Sequence, residues 1–184
     1  MLICLTFFLG DFIPARAQAA PAGARYLHKT WTTEEGLPQS SVTAIVQTRD
    51  GYLWLGTFGG LVRFDGVKFT VFDTANAPGL KSNRIIILFE DRAGNLWIGT
   101  EHGGLTRYAQ GRFTTFTTKD GLPDNWVHGM SDDREGALWV CTPKGIARFN
   151  QGRFAGYTVP GVDLGTIARF QSGRDGRFWL PTKS

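Results

Sequence analysis

Three histidines, His28, His102 and His128, are the only imidazoles in the 184-residue chain, and imidazole is the side chain that most often carries acid–base chemistry at neutral pH. No serine, cysteine or carboxylate stands beside any of them in a nucleophile-and-base arrangement, so no catalytic residue is assigned. His102 and His128 fall where adjacent repeat units could bring them close, but two imidazoles without a clear carboxylate make a poor metal site, and no metal or other cofactor is expected. The two cysteines, Cys4 and Cys141, give neither a disulfide framework nor a metal-ligand spacing, and no glycine-rich phosphate loop is present. Binding is the chemistry left. Its candidates are Gln39, Ser40, Phe58, Lys81, Asn83, Glu101, His102, Asp124, Asn125, Trp126 and Lys144, with Pro143 beside them. They mix amides, charges and aromatic rings that suit a small-molecule or oligosaccharide ligand. Trp126 suits either a sugar-stacking platform or a plug for the mouth of the fold.

These residues matter because of where a repeat places them. Trp54, Trp97, Trp139 and Trp179 stand 43, 42 and 40 residues apart, each inside a near-copy of one phrase. Arg49-Asp50-Gly51-Tyr52-Leu53-Trp54-Leu55-Gly56-Thr57 returns as Arg92 to Thr100, as Arg134 to Thr142 and as Arg174 to Thr182. A period near 42 residues implies one supersecondary unit stacked repeatedly, because one unit cannot cover its own apolar faces. The tryptophans, copied into every unit, read as packing between units, and the four hairpin arginines as partners of nearby acids or rings.

Within a unit the pattern is four strands. Val42 to Thr48 is apolar on both faces, as for a strand hidden between sheets. Arg49-Asp50-Gly51 is a tight turn, Tyr52 to Thr57 a second strand, Phe58-Gly59-Gly60 a bend, Leu61 to Phe64 a third strand, and Lys68 to Phe72 a fourth after Asp65-Gly66. Linker phrases Gly36-Leu37-Pro38, Gly79-Leu80-Lys81 and Gly121-Leu122-Pro123 separate the units. Such four-stranded antiparallel meanders, with one tryptophan and glycine turns each, predict an all-β chain of β-propeller blades at 40–73, 83–117 and 125–158, with a half blade at 165–184. Residues 26–31 read as an orphan fourth strand, giving an incomplete propeller of about three and a half blades whose open edges favour aggregation or association. Strand alternation puts the short hairpins at one end of each blade and the bends and linkers, with all the candidate binding residues, at the other.

Residues 1–19 read as a signal peptide, with an apolar core Leu2 to Leu9 and small-residue cleavage positions at Ala15-Arg16-Ala17 and Ala17-Gln18-Ala19, and 20–25 as a linker. Glycine numbers 24 and charged residues make up 20% of the chain, which favours turns and strands over helices. The net charge of +4 is spread among both signs without a basic run, so nucleic acid is not an expected partner.

Asp91-Arg92-Ala93-Gly94-Asn95-Leu96-Trp97-Ile98-Gly99-Thr100, followed by Gly103-Gly104-Leu105-Thr106-Arg107-Tyr108, resembles the two-component regulator propeller repeat, and the resemblance extends over residues 26–184. The sequence departs from the repeat at Cys141 and Pro181, which replace a glycine, and at Pro143-Lys144, where the bend is shortened. The resemblance implies the periplasmic sensor region of a bacterial histidine kinase or diguanylate cyclase type receptor. Such a region relays ligand occupancy to a downstream output domain, reaches the membrane only through segments absent here, and acts as a homodimer in the full-length receptor. Two other functions compete with it: a propeller enzyme, either a lyase or a glycan-active one, and a passive protein-interaction scaffold.

Overall fold

Each blade begins with a leucine that sinks from its linker. Leu37, Leu80 and Leu122 are all buried, although the residues directly beside them are exposed or half-buried. Two of the linkers open with the same device, a single 3-10 turn held by a capping box. Thr32 caps Thr33–Glu35 with Glu35 reaching back, and Thr117 caps Thr118–Asp120 with Asp120 reaching back. Gly121 closes the second turn at φ 94° in the left-handed region, and a Cβ there would run into the Phe154 carbonyl oxygen. The residue is glycine for both reasons.

The computed structural model describes residues 29–157, 171–172 and 178–179, and the architecture below belongs to the unit Trp31–Lys183. The first sheet runs β1 (Val42–Gln47), β2 (Leu53–Thr57), β3 (Gly60–Phe64) and β4 (Phe69–Phe72). The second holds β5 (Ile85–Glu90), β6 (Leu96–Thr100), β7 (Leu105–Ala109) and β8 (Arg112–Phe116), and the third β9 (Gly129–Asp132), β10 (Leu138–Thr142), β11 (Gly145–Asn150) and β12 (Arg153–Tyr157). A two-stranded sheet of β13 (Gln171–Ser172) and β14 (Phe178–Trp179) follows. Every four-stranded sheet is an antiparallel meander with strands in sequence order. These are propeller blades: neighbouring sheets meet through their first strands, β1 with β5, β5 with β9 and β9 with β13.

The core lies between sheets. Trp54, Leu61, Leu80, Ile85, Leu88, Leu96 and Ile98 fill the first interface, and Trp97, Leu105, Phe116, Leu122, Val127, Met130 and Val140 fill the second. Trp54 packs on Tyr108 of the next blade at 5.1 Å between ring centroids, and Trp97 on Phe149 at 5.1 Å. The sheets come so close that a Cβ on Gly99 would lie 2.9 Å from the Val127 carbonyl oxygen of the following blade. In the third blade that position is Cys141, fully buried, and burial pushes its thiol pKa up to about 12.

The first strand departs from the sequence expectation. Val42 to Thr48 was expected to be hidden on both faces, yet Ile45 is 65% exposed, whereas Leu88 and Met130 at the matching positions are 8% and 7% exposed. The reason is positional: a blade on one side buries Leu88 and Met130, and no described sheet lies over Ile45. Trp179 differs likewise from the other repeat tryptophans, being 61% exposed. Of the orphan strand expected at 26–31, residues 26–28 lie outside the described set, and Lys29 to Trp31 are not in a strand. Trp31 nevertheless sets its ring 5.3 Å from Phe64, as Phe116 does with Phe149 at 5.2 Å. It therefore stands where the fourth-strand aromatic of a preceding blade would stand. The expected signal peptide at 1–19, the linker at 20–25 and most of the half blade at 165–184 lie outside the described residues. Among the described residues no helix is long and apolar enough to cross a membrane.

Candidate functional site

The threonine that ends each Trp-containing strand shapes the bend that follows. Thr57, Thr100 and Thr142 are fully buried, and each donates from Oγ1 to the carbonyl of Gly60, Gly104 or Gly145 at 2.8, 2.8 and 2.9 Å. The same oxygens accept the amides of Gly59, Gly103 and Lys144. The bend residues are thus presented from a closed hydrogen-bonded loop rather than from slack chain. Linkers are tied to bends in turn: the Gly104 amide donates to the Asn125 carbonyl at 2.9 Å, and Val127 to the Thr100 carbonyl at 2.9 Å.

On this frame six of the candidate residues form a row along the bends and linkers. Phe58 lies 4.2 Å under the guanidinium of Arg84, which also pairs with Glu101. Next, His102 meets the Trp126 ring edge-on at 5.9 Å, and Trp126 remains 39% exposed. Lys144 then pairs with Asp124 at 2.9 Å. Burial works against the Asp124 carboxylate, but the Lys144 ammonium and the amides of Trp126 and Asn125 outweigh it and hold the pKa below the usual value.

The remaining candidates do other work or stand apart. Asn83 and Asn125 accept the amides of Thr74 at 2.8 Å and Thr118 at 3.0 Å, which fixes the linkers. Lys81 turns to the Pro78 carbonyl at 2.9 Å. Gln39 and Ser40 make no hydrogen bond or ion pair with the other candidates. Arg84 was not among the residues singled out from the sequence. It occupies the repeat position held by Ser41 and Trp126, so the usable signal was a position whose chemistry changes in every blade. Among the described residues no three His, Cys, Asp or Glu side chains gather to hold a metal.

The opposite end, where the hairpins lie, is built of repeated polar fixtures. Trp54, Trp97 and Trp139 donate from Nε1 to Thr48 Oγ1, Asp91 Oδ2 and Asp133 Oδ2 at 3.1, 2.7 and 2.9 Å, in each case to the residue six positions earlier. A cleft of about 340 Å3 opens at this end between the first two blades, with Arg49, Glu90, Tyr108 and Gln110 in its wall.

The repeat profile described as "Two component regulator propeller" matches residues 36–59, 79–102 and 121–144, each match running from a linker glycine into the bend. The chain is similar to a histidine kinase P4 of Formosa agariphila, 43% identical over 49 residues, a match covering 27% of this chain and 4% of the kinase. Among solved structures it is similar to the extracellular domain of a hybrid two-component system from B. thetaiotaomicron, 26% identical with a TM-score of 0.74, over 83% of this chain and 23% of that one. Virginiamycin B lyase from Staphylococcus aureus shares the fold alone, at 19% identity and a TM-score of 0.59, over 76% of this chain and 48% of the lyase. The chain therefore spans less than half the length of each of these proteins.

Proposed function

The chain is built from two-component regulator propeller repeats, and from that premise we propose that it is part of the ligand-sensing region of a two-component-type receptor. In this reading it lies outside the cytoplasm, in the periplasm, performs no catalysis itself, and passes ligand occupancy to an output domain outside this chain, with two receptors acting as a homodimer. The observation that carries the reading is the threefold match in register, joined to the likeness to the extracellular domain of a two-component system.

The bend-and-linker row is the proposed ligand surface. Trp126 offers an exposed aromatic face beside His102, flanked by the pairs Arg84–Glu101 and Asp124–Lys144, an arrangement suited to stacking a sugar ring and bonding its hydroxyls. The test uses the full-length receptor, titrated with neutral oligosaccharides while binding heat and phosphorylation of the output domain are followed. Trp126→Ala is expected to weaken binding at least tenfold and to shift the output response to higher oligosaccharide by the same factor. A receptor that binds no oligosaccharide, or whose binding and output are unchanged by both Trp126→Ala and His102→Ala, overturns the reading.

A further inference from the structure

Among the described residues one arginine, Arg107, has a buried Nε–H with no hydrogen-bond acceptor. Arg63, Arg107 and Arg148 occupy the same place on the third strand of successive blades, each on the same face as the blade tryptophan. Arg148 is satisfied by two carboxylates, Asp133 at 3.0 Å and Glu135 at 2.5 Å. Arg63 stacks on Tyr52, its Cζ 4.5 Å from the ring centroid. Arg107 has neither arrangement. It lies over the rims of Trp97 and Phe116, 5.9 and 6.0 Å from the centroids, and its buried Nε–H has no acceptor. An unpaired buried donor on a charged group is disfavoured unless something supplies the missing acceptor.

The reason Arg107 lacks a protein acceptor can be traced residue by residue. Asp91, the counterpart of Asp133, is engaged by Trp97 Nε1 at 2.7 Å, by the Asn95 side chain at 2.8 Å and by the Asn95 amide at 2.9 Å. The counterpart of Glu135 is Ala93, which has no acceptor to give. Beside Arg107 opens a pocket of about 320 Å3 walled by Arg107, Ala109, Gln110, Arg112 and Thr114, and Arg112 forms no ion pair among the described residues. The hairpin partners Arg107 with Thr114 and Ala109 with Arg112, so all four side chains stand on one face.

We propose that this pocket, on the outer strands of the second blade, binds an oxyanion: a carboxylate or sulfate group that does for Arg107 what the Asp133 and Glu135 carboxylates do for Nε and Nη2 of Arg148 in the third blade. Arg107 and Arg112 supply the charge and the guanidinium fork, and Gln110 and Thr114 supply further donors. The site is separate from the bend-and-linker row and stands whether or not that row binds sugar. The pocket suits one acidic group on a small ligand, such as a uronic acid residue of a glycan.

The test uses the full chain with three probes: glucuronate, sodium sulfate and uncharged glucose. The Arg107 side-chain Nε–H resonance is followed by NMR. Glucuronate or sulfate is expected to shift it saturably at constant ionic strength, and glucose is not. Tighter binding of glucuronate identifies a sugar carboxylate as the natural group, and tighter binding of sulfate identifies a sulfate. Ala93→Glu puts a carboxylate where Glu135 meets Arg148 Nη2 in the third blade, and by competing for the guanidinium it should weaken either anion at least tenfold while keeping the chain folded. Arg112→Gln should weaken binding at least threefold. No saturable shift with either anion, or affinities unchanged in Ala93→Glu and Arg112→Gln, overturns the proposal.

Discussion

Arg49 donates from Nη1 to the main-chain carbonyl of Arg92 at 2.7 Å, and Arg92 donates from its own Nη1 to the carbonyl of Arg134 at 2.9 Å, so each hairpin arginine clasps the hairpin of the next blade. An acid on the neighbouring first strand steadies each clasp, Glu90 at 3.8 Å from Arg49 Nε and Asp132 at 2.9 Å from Arg92 Nε. The arginine recurs in the repeat because its partner recurs, one blade along. Neighbouring blades share few main-chain hydrogen bonds, which leaves their spacing to side chains of this kind.

Arg92→Ala should therefore loosen the second interface without disturbing either sheet. Both groups are partly solvated, so the cost is about 1 kcal/mol, within the range for exposed ion pairs and single hydrogen bonds. Arg92→Lys should recover less than half, because an ammonium cannot reach carbonyl and carboxylate together as a planar fork does. Urea unfolding of the two variants measures this, and equal stability of Arg92→Lys and the parent would refute the clasp.

Replacing Trp97 by Phe should cost more than the same change at Trp139. Trp97 is buried and its Nε1 helps satisfy the buried Asp91, so the change leaves both a void and an under-bonded carboxylate, together about 2–4 kcal/mol. Trp139 is half-buried, and its acceptor Asp133 keeps Arg148. A loss of about half that size is expected. The midpoint of denaturant unfolding in the two variants decides the order.

Gly121→Ala tests the linker geometry. The left-handed backbone alone costs about 1 kcal/mol for a side chain, and the approach of the Phe154 carbonyl raises the total above about 2 kcal/mol. A variant within about 0.5 kcal/mol of the parent would show that the linker does not press against the third blade as described.

How far the residues announced this arrangement depends on the range of the interaction. Each hairpin glycine and the strands it joins are written within a few residues of each other and the tryptophan period repeats them, so the four-stranded unit was legible. Asp91 and Asp133 stand six residues before their tryptophans, but the turn that brings them to the indole is needed to see why. The exposure of Ile45 against the burial of Leu88 was not legible, since the two strands share one pattern and differ only in what lies beside them. The part played by Arg84 was hidden because Ser41, Arg84 and Trp126 share a position and no chemistry. Arg63, Arg107 and Arg148 recur visibly, but the carboxylates that distinguish Arg148 come from the turn before strand two. Only the fold reveals that Arg107 lacks them.

Asp133 makes a pH-dependent contribution whose sign follows from its surroundings. Burial disfavours its charged form, yet bonds from Trp139 Nε1, the Ala137 amide and Arg148 prevail and hold its pKa below the usual carboxylate value. A carboxylate with a depressed folded pKa stabilises fully above the unfolded value of about 3.9, and that stabilisation fades as pH falls toward the folded value. Asp133→Asn should cost about 1–2 kcal/mol at pH 6, a modest figure because Arg148 is partly exposed. The gap between variant and parent should then shrink as the pH is lowered from about 5 to 3. Unfolding curves taken across that range, alongside an NMR titration of the Asp133 carboxyl carbon, measure both halves of the claim. A gap that stays constant down to pH 3 would mean that the carboxylate's charge contributes nothing to holding Trp139 and Arg148 in place.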